Sequence, residues 1–191
     1  MTSNTPYLNI PTDQDNAEYL LLTQGKMVMM GEINEQSYAK LFGNLLLLDA
    51  IGSPDVELHI SSDGGSVTYG FMMFDAIRLY KGKIIGIVPG GQAISMASVI
   101  LQACTLRKMS RHSWMNIHTA LTKNPISYAD IVSAGKMKKL TEVLKISTER
   151  ILDAYMLRAK VSRKRIATLM GENKELPPGL ALKLGLIDEI I

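Results

Sequence analysis

A serine at the start of an apolar run is the first candidate for chemistry in this chain. Ser95 follows a glycine-rich turn in the stretch PGGQAISMASV, residues 89–99. This pattern predicts a helix that begins near Ser95, where the positive end of the helix dipole favours negative charge. The backbone N–H of Met96 would then point to where an oxyanion forms during acyl transfer. Capping of the helix by Ser95 is the simpler alternative, and the residues alone leave both open.

A second glycine turn and a histidine extend this set. Gly64 and Gly65, in the stretch SSDGGSV, either bring backbone amides close to a substrate carbonyl or permit a tight connection. His118 ends a strand-like run, SWMNIH, at a position where loops gather to form sites. We expect it to be the general base for Ser95, because the other two histidines lie in an alternating strand and in a polar turn. A hydrogen-bonded structural role is the alternative for His118.

Composition and motifs argue against several other kinds of site. The net charge of +3 is too weak to indicate a nucleic-acid or membrane-surface partner. Ten Lys or Arg residues lie between positions 136 and 165, but without an aromatic stacking motif they are typical of a solvated helix face. The chain has neither a phosphate-loop motif nor a histidine pair with metal-ligand spacing, so we expect no metal and no organic cofactor. Cys104 is the only cysteine, which favours a reducing compartment such as the cytoplasm.

The uncharged run from residue 84 to residue 106 raises the question of a membrane span. Pro89, Gly90 and Gly91 interrupt it near one point, whereas a spanning helix needs about 20 predominantly apolar residues with its backbone groups satisfied internally. We therefore expect a buried strand, a turn and a buried helix, and no membrane association. The polar N-terminus also lacks the pattern of a signal peptide.

The elements that must position these residues alternate between strand and helix. Asn34 and Ser162 predict helix starts, while Pro178 predicts the start of a last helix that Gly185 closes. The stretch SSDGG is expected to break the second strand, and GENKELPPG is expected to form a loop. Strands are expected over the runs KMVMMG, DVELHI, KIIGIV, SWMNIH and LIDEII. This alternation predicts an α/β domain with largely parallel pairing.

Two segments stand apart from this alternation. Residues 1–20 are polar and are predicted to form a mobile or separately docked N-terminal arm, with residues 21–191 as a single domain. A long helical pattern runs from about Ser127 to Lys160. Its apolar stripe consists of Leu140, Leu144, Ile151 and Tyr155. We expect this helix to project as an oligomerisation element.

Taken together, these segments resemble the proteolytic subunits of the Clp protease, the ClpP family. The similarity runs in one order from about Lys26 to the C-terminus and is carried by ISSDGGSVTYG, GGQAISMAS, MNIH and LALKLGLIDEII. It implies an α/β, ClpP/crotonase-type fold of repeated strand–strand–helix units with a handle helix at about 127–160. It also implies that Ser95 is the nucleophile and His118 the general base, with the N–H groups of Gly65 and Met96 forming the oxyanion hole.

Three features depart from the family pattern. Counting back from GLID, the third triad position falls on Asn173, an amide where the family has aspartate; the neighbouring Glu172 is the alternative orienting group. The segment between the nucleophile and the base is slightly shorter than usual. Glu57 and His59 occupy strand positions that are aromatic in the family and help to form the docking pocket for an ATPase partner.

The resemblance implies a serine endopeptidase that hydrolyses peptides or unfolded polypeptides inside a homo-oligomeric chamber of two stacked heptameric rings. An ATPase unfoldase with altered docking is the expected partner, and any ATP requirement belongs to that partner. A catalytically weak or inactive ring subunit with an assembly role is the first alternative, because of Asn173. A crotonase-type acyl-CoA enzyme is the second, although the Ser95–His118 pair speaks against it.

Overall fold

A computed structural model describes residues 14–122 and 125–191. The strands in these ranges are β1 (Lys26–Ile33), β2 (Val56–Gly65), β3 (Ile84–Val88), β4 (Gln92–Ile94), β5 (Leu106–Met109), β6 (Trp114–Ile117), β7 (Lys174–Leu176) and β8 (Glu189–Ile190). The helices are α1 (Gln14–Thr23), α2 (Glu35–Ala50), α3 (Val67–Leu79), α4 (Met96–Ala103), α5 (Tyr128–Val132), α6 (Ala134–Met156), α7 (Arg163–Gly171) and α8 (Pro178–Leu184). The predicted α/β class is confirmed.

The strands form one sheet in the order β7-β6-β4-β2-β3-β5-β8, with β1 also paired to β2. All of these pairs are parallel except β6 with β7, so the expectation of largely parallel pairing is confirmed. The long strand β2 joins the two parts of the sheet, since its first half pairs with β3 and its second half with β4. Parallel strands end at the same edge, which brings the ends of β4 and β6 together beside the end of β2.

Helix boundaries follow local chemistry where the chain offers a clear cap. The Asn34 side chain accepts from the Ser37 N–H while the Ser37 hydroxyl accepts from the Asn34 N–H, which forms a reciprocal capping box for α2. Ser162 caps α7, and Gly185 ends α8 in the left-handed conformation with φ of 79°. The helix starts and the closing glycine predicted from sequence are therefore confirmed.

Four local expectations are wrong. β2 continues through the stretch SSDGG to Gly65, because β1 pairs alongside it as far as Ile33. The short strand β7 lies inside the predicted loop GENKELPPG, where it pairs antiparallel with β6. The single long helix is divided into α5 and α6 by Ser133, whose ψ of 97° is extended. β4 and β5 were not expected, and both are too short to show a period.

The predicted N-terminal arm lies largely outside the described residues. From Gln14 onward the chain forms α1, and Leu22 of α1 is buried in the core that also contains Met27 of β1. The boundary at residue 20 between arm and domain stays a prediction, although it falls within this helix. No helix in the described ranges is both long and apolar enough to cross a membrane.

Candidate active site

Ser95 occupies a strained turn between β4 and α4. Its φ of 54° and ψ of −125° lie in a region that costs a residue with a side chain about 1–3 kcal/mol. Ser95 holds the N-cap position of α4, yet its hydroxyl makes no capping hydrogen bond. The capping alternative is therefore wrong. The turn leaves the Ser95 side chain half-buried at the sheet edge, with its hydroxyl free of partners among the described residues.

The backbone of this turn is held by hydrogen bonds to neighbouring elements. The Ser95 N–H donates to the Asn116 carbonyl of β6 at 3.0 Å, in line with the Ile94–Asn116 register. The Ser95 carbonyl accepts from the Ser98 hydroxyl at 2.6 Å and from the Ser98 N–H at 3.0 Å. These bonds fix the turn on both sides of the serine and offset part of its conformational cost.

The glycine turn at the end of β2 packs directly against Ser95. A Cβ on Gly64, whose φ is +90°, would lie 2.7 Å from both the Ser95 Cβ and the Ile94 carbonyl oxygen and 3.0 Å from the Met96 nitrogen. A Cβ on Gly65, whose φ is +149°, would overlap the Ile33 carbonyl oxygen of β1. Both positions therefore require glycine, because the chain is too close to its neighbours for any side chain.

The Gly64 amide is used within the turn itself. The Gly64 N–H donates to the buried Ser62 hydroxyl at 3.0 Å, and that hydroxyl donates in turn to the Gly31 carbonyl. The Gly64 N–H therefore stabilises the turn. Met96 is the first residue of α4, so its N–H has no acceptor within the helix. The geometry is compatible with Gly65 and Met96 as the amides that face a substrate oxygen.

His118 follows directly on β6, beside the strand that leads to Ser95. Its Nδ1 lies 2.6 Å from the Thr119 carbonyl oxygen. A carbonyl can only accept, so this contact requires a proton on Nδ1 and leaves the lone pair of a neutral ring on Nε2. Among the described residues no hydrogen bond joins His118 to the Ser95 hydroxyl. The pairing of β4 with β6 places the two residues at the ends of neighbouring strands.

Asn173 immediately precedes β7, and His118 immediately follows the antiparallel strand β6. β6 and β7 pair Ile117 with Lys174, and the next antiparallel step relates His118 to Asn173. Asn173 has a positive φ of 52°, and its carbonyl accepts from the Asn116 amide at 3.2 Å. Asn173 is exposed, and among the described residues its side chain makes no hydrogen bond to His118. Glu172, the alternative orienting group, is the exposed C-cap residue of α7.

A series of buried hydrogen bonds behind Ser95 was not predicted from the sequence. The Ser98 hydroxyl lies 2.7 Å from the Tyr155 hydroxyl of α6, and both side chains are fully buried. Burial raises the pKa of Tyr155, while its hydrogen bond with Ser98 acts in the opposite direction. Ser98 stands three residues after Ser95, between the apolar residues Ala97 and Val99 of α4. A polar residue in such a setting needs a partner, which is the signal that could have predicted this contact.

The series of buried hydrogen bonds continues from Ser98 to the C-terminal segment. The Gln102 side-chain amide donates to the Ser98 carbonyl at 3.0 Å, and its oxygen accepts from Arg107 at 2.7 Å. Arg107 is only 2% exposed and binds Asp188 in bidentate fashion. No buried side-chain nitrogen or oxygen in the described ranges lacks a partner. The turn that presents Ser95 is therefore supported by a satisfied polar network.

Other reactive groups in the described residues do not form a competing site. Cys104 is fully buried, which raises the pKa of its thiol to about 12 and keeps it protonated. No group of three or more His, Cys, Asp or Glu side chains within residues 14–122 and 125–191 has the geometry to hold a metal ion.

A strained serine between a strand and a helix, flanked by a glycine turn and a histidine from the adjacent strand, is the arrangement of a serine peptidase. Comparison with known proteins agrees with this class. Residues 12–191 match the family model described as Clp protease. The chain therefore belongs to the Clp protease family and is a Clp-type serine peptidase.

The curated relatives are similar over most of their length. The chain is 28% identical over 175 residues to an ATP-dependent Clp protease proteolytic subunit of Borreliella afzelii, covering 90% of this chain and 85% of the relative. It is 27% identical over 177 residues to the corresponding protein of Deinococcus radiodurans, covering 91% and 83%. The resemblance seen in the sequence is thus confirmed, and the family favours a peptidase over the acyl-CoA enzyme.

Proposed function

We propose that this chain is a serine endopeptidase that hydrolyses peptides or unfolded polypeptides, with Ser95 as its nucleophile. The observation that carries this proposal is the Ser95 turn, because the chain adopts a costly backbone conformation there without gaining a helix cap. Strain of this kind is retained where it orients a functional side chain. The polar network behind the turn supports the same interpretation, since it holds the backbone and leaves the hydroxyl unbound.

The tautomer of His118 suits the role of general base. With Nδ1–H held by the Thr119 carbonyl, Nε2 accepts the Ser95 proton as Oγ attacks the peptide carbonyl. The carbonyl oxygen then becomes an oxyanion, which the N–H groups of Gly65 and Met96 stabilise. His118 returns the proton to the leaving amine, and water hydrolyses the acyl-enzyme by the same route.

The third triad position has three candidates in this chain. We propose Asn173 as the residue that orients His118 during turnover, with Glu172 as the alternative. Asn173 is favoured because it and His118 are the residues next to the last β6–β7 pair, whereas Glu172 lies one residue earlier in the chain and farther from β7. The Thr119 carbonyl already supplies the acceptor in the absence of substrate. Neither an amide nor a carbonyl carries the charge that stabilises imidazolium, so we expect turnover to be slow.

A fluorophosphonate probe tests the nucleophile directly. Wild-type protein should be labelled, Ser95→Ala should not, and His118→Ala should be labelled much more slowly because Oγ loses its base. Ser133→Ala is the matched control, since Ser133 also occupies an N-cap position without a capping bond but lies at the start of α6. Labelling that persists in Ser95→Ala, or its absence from the wild type, would overturn the proposal.

A catalytically weak ring subunit with an assembly role is the second candidate. The observations that favour it are the absence of a Ser95–His118 hydrogen bond among the described residues and the amide at Asn173. The two candidates differ in turnover after labelling. Steady hydrolysis of a short fluorogenic peptide, abolished in Ser95→Ala, supports the endopeptidase. Labelling without measurable hydrolysis supports the weak subunit.

We propose further that the chain assembles into two stacked heptameric rings of identical subunits. The end of α6 is buried within its own subunit at Ile151 and Tyr155, but Val143 and Ile146, near the middle of the helix, are more than half exposed. An apolar groove of about 450 Å³ lies between α6 and the loop after β6. α2 also exposes apolar side chains, at Phe42, Leu46 and Leu47. A monomer seen by light scattering at micromolar concentration would contradict this assembly.

The ATPase unfoldase proposed as a partner would meet a polar surface. Glu57 and His59 lie on one face of β2 with 3.3 Å between the carboxylate and the ring, where the family pattern is aromatic. We expect weak or absent stimulation by a standard Clp ATPase, and efficient degradation of a folded, tagged substrate with such an ATPase would contradict this. The cytoplasm is the proposed location, and residues 1–20 the proposed arm of a domain spanning 21–191.

A further inference from the structure

Arg150 of α6 is a cation without a counter-ion among the described residues. The Arg150 guanidinium of α6 lies 4.1 Å from the centre of the Phe71 ring of α3. Arg150 makes no ion pair or hydrogen bond within residues 14–122 and 125–191. The acidic residues nearest to it along α6, Glu149 and Asp153, are each 2.5 Å from Arg163. Their charge is therefore committed to Arg163, which leaves Arg150 available to a ligand.

Besides the contact with Phe71, two other contacts of α6 help to define the position of Arg150. The Thr148 hydroxyl accepts from the Ala120 N–H, two residues after His118. The Tyr155 hydroxyl contacts Ser98, three residues after Ser95. Arg150 lies between these contacts, about 3 Å along the helix axis from the first and about 7.5 Å from the second.

Arg150 points in a third direction, toward α3. That helix begins immediately after the glycine turn, with Ser66 as its cap, so its first turns border the proposed oxyanion hole. Gly70 of α3 also packs against Met96: a Cβ there would lie 3.1 Å from the Met96 Cβ. Phe71 is the next residue. The Arg150 guanidinium thus packs on α3 one residue beyond Gly70, the glycine that contacts Met96.

We propose that Arg150 binds an acidic side chain on the substrate residue whose carbonyl Ser95 attacks. The inference rests on the proposed function and names its substrate class: peptides with Asp or Glu before the scissile bond. Packing of the guanidinium on Phe71 holds it and leaves its N–H donors free to form paired hydrogen bonds to a carboxylate. A peptide with an uncharged side chain at this position lacks that contact.

Paired fluorogenic peptides test this preference. The two peptides are identical except for Glu or Gln immediately before the aminocoumarin leaving group, and kcat/KM is measured for each. The Glu:Gln ratio should exceed one in the wild type and decrease as salt screens the charges. Arg150→Met should lower the ratio about fivefold, Arg150→Glu about tenfold or more, and Arg150→Lys should retain part of it.

Lys145→Glu is the matched control. It makes the same charge change on α6 as Arg150→Glu, but about 140° away around the helix, and should leave the ratio unchanged. A Glu:Gln ratio that is the same in the wild type, Arg150→Met and Arg150→Glu overturns the inference. If Ser95 is still labelled by the fluorophosphonate in those variants, the proposed function stands without it.

A binding measurement tests the inference independently of peptide hydrolysis. Fluorescein-labelled Glu and Gln peptides are titrated against Ser95→Ala protein with and without Arg150→Met, and anisotropy reports the affinity. Tighter binding of the Glu peptide that is lost in Arg150→Met supports the inference, even where the proposed hydrolysis fails. Equal binding of both peptides overturns it.

Discussion

The buried ion pair between Arg107 of β5 and Asp188, the residue before β8, allows a quantitative prediction. Arg107 donates from Nε and NH2 to the two Asp188 oxygens at 2.9 and 2.7 Å, and from NH1 to Gln102 and the Gly185 carbonyl. The Arg107 side chain is 2% exposed and the Asp188 side chain 26%. Asp188→Asn keeps the shape of the carboxylate but removes its charge, so a cation remains buried without an anion.

The expected cost follows from this geometry. Removing one partner of a buried pair typically destabilises by about 3–5 kcal/mol, and the partial exposure of Asp188 favours the lower end. For a chain of this size each kcal/mol lowers Tm by about 2–4 °C, so a loss of about 3 kcal/mol corresponds to about 6–12 °C. The double change Arg107→Met with Asp188→Leu should recover part of this loss, because it leaves no unpaired charge.

The pH dependence gives the same prediction an independent check. Burial alone would raise the pKa of Asp188, but the hydrogen bonds and charge of Arg107 outweigh it, and the net pKa lies below its ordinary value. A lowered pKa means that the stabilisation is complete above about pH 4 and is lost as the pH falls through the folded-state value. Wild type and Asp188→Asn should therefore differ at pH 7 and converge in acid.

Thermal unfolding at one fixed protein concentration is the appropriate assay, because assembly contributes to the apparent stability. Asp55→Asn serves as the control, since Asp55 is exposed and its ion pair with Lys83 spans 3.9 Å; it should change stability by less than about 0.5 kcal/mol. The reasoning is refuted if Asp188→Asn is as stable as this control at pH 7, or if its deficit persists unchanged in acid.

The remaining predictions concern the serine turn and the orienting group. Asn173→Asp should raise peptide turnover about tenfold or more by supplying charge to His118, and Asn173→Ala should lower it; silence of both in kcat measurements would leave Glu172 or the Thr119 carbonyl as orienter. Ser98→Ala should lower the free energy of unfolding by about 1–3 kcal/mol in denaturant titrations, because it leaves the buried Tyr155 hydroxyl without its partner. A change below about 0.5 kcal/mol would contradict that bond. Gly64→Ala should abolish fluorophosphonate labelling, since its Cβ would displace the turn; normal labelling would disprove the close packing.

The sequence predicted the parts of the fold whose signals are local. Helix starts at Asn34 and Ser162 and the helix end at Gly185 depend on side chains or conformations within a few residues, and all three appear as expected. Strand β2 was predicted too short, because its extension through the glycine turn depends on pairing with β1, a contact between residues distant in sequence. The same holds for β7, which is a strand only because β6 lies beside it.

The candidate site likewise has parts that local sequence indicates and parts that only the fold reveals. Ser95, His118 and the glycine turn could be found because their residue types and neighbours are informative in one segment at a time. The Nδ1 partner of His118 could not be predicted, because a backbone carbonyl carries no sequence signal. Arg107 was not singled out, although a cation immediately after a long uncharged run indicates a buried ion pair. Its partner Asp188 lies 81 positions away and is identified only by the fold.

The connected network explains how a strained serine can be kept in place. The Ser95 conformation costs about 1–3 kcal/mol, and each bond that holds it contributes about 0.5–1.5 kcal/mol. The Asn116 carbonyl and the Ser98 hydroxyl together are therefore of the right size to offset it. Ser98 is fixed in turn by Tyr155 of α6, the same helix whose N-terminal half is mostly exposed. A partner that shifted α6 would consequently move Tyr155, whose hydrogen-bond partner Ser98 is itself bonded to the Ser95 carbonyl.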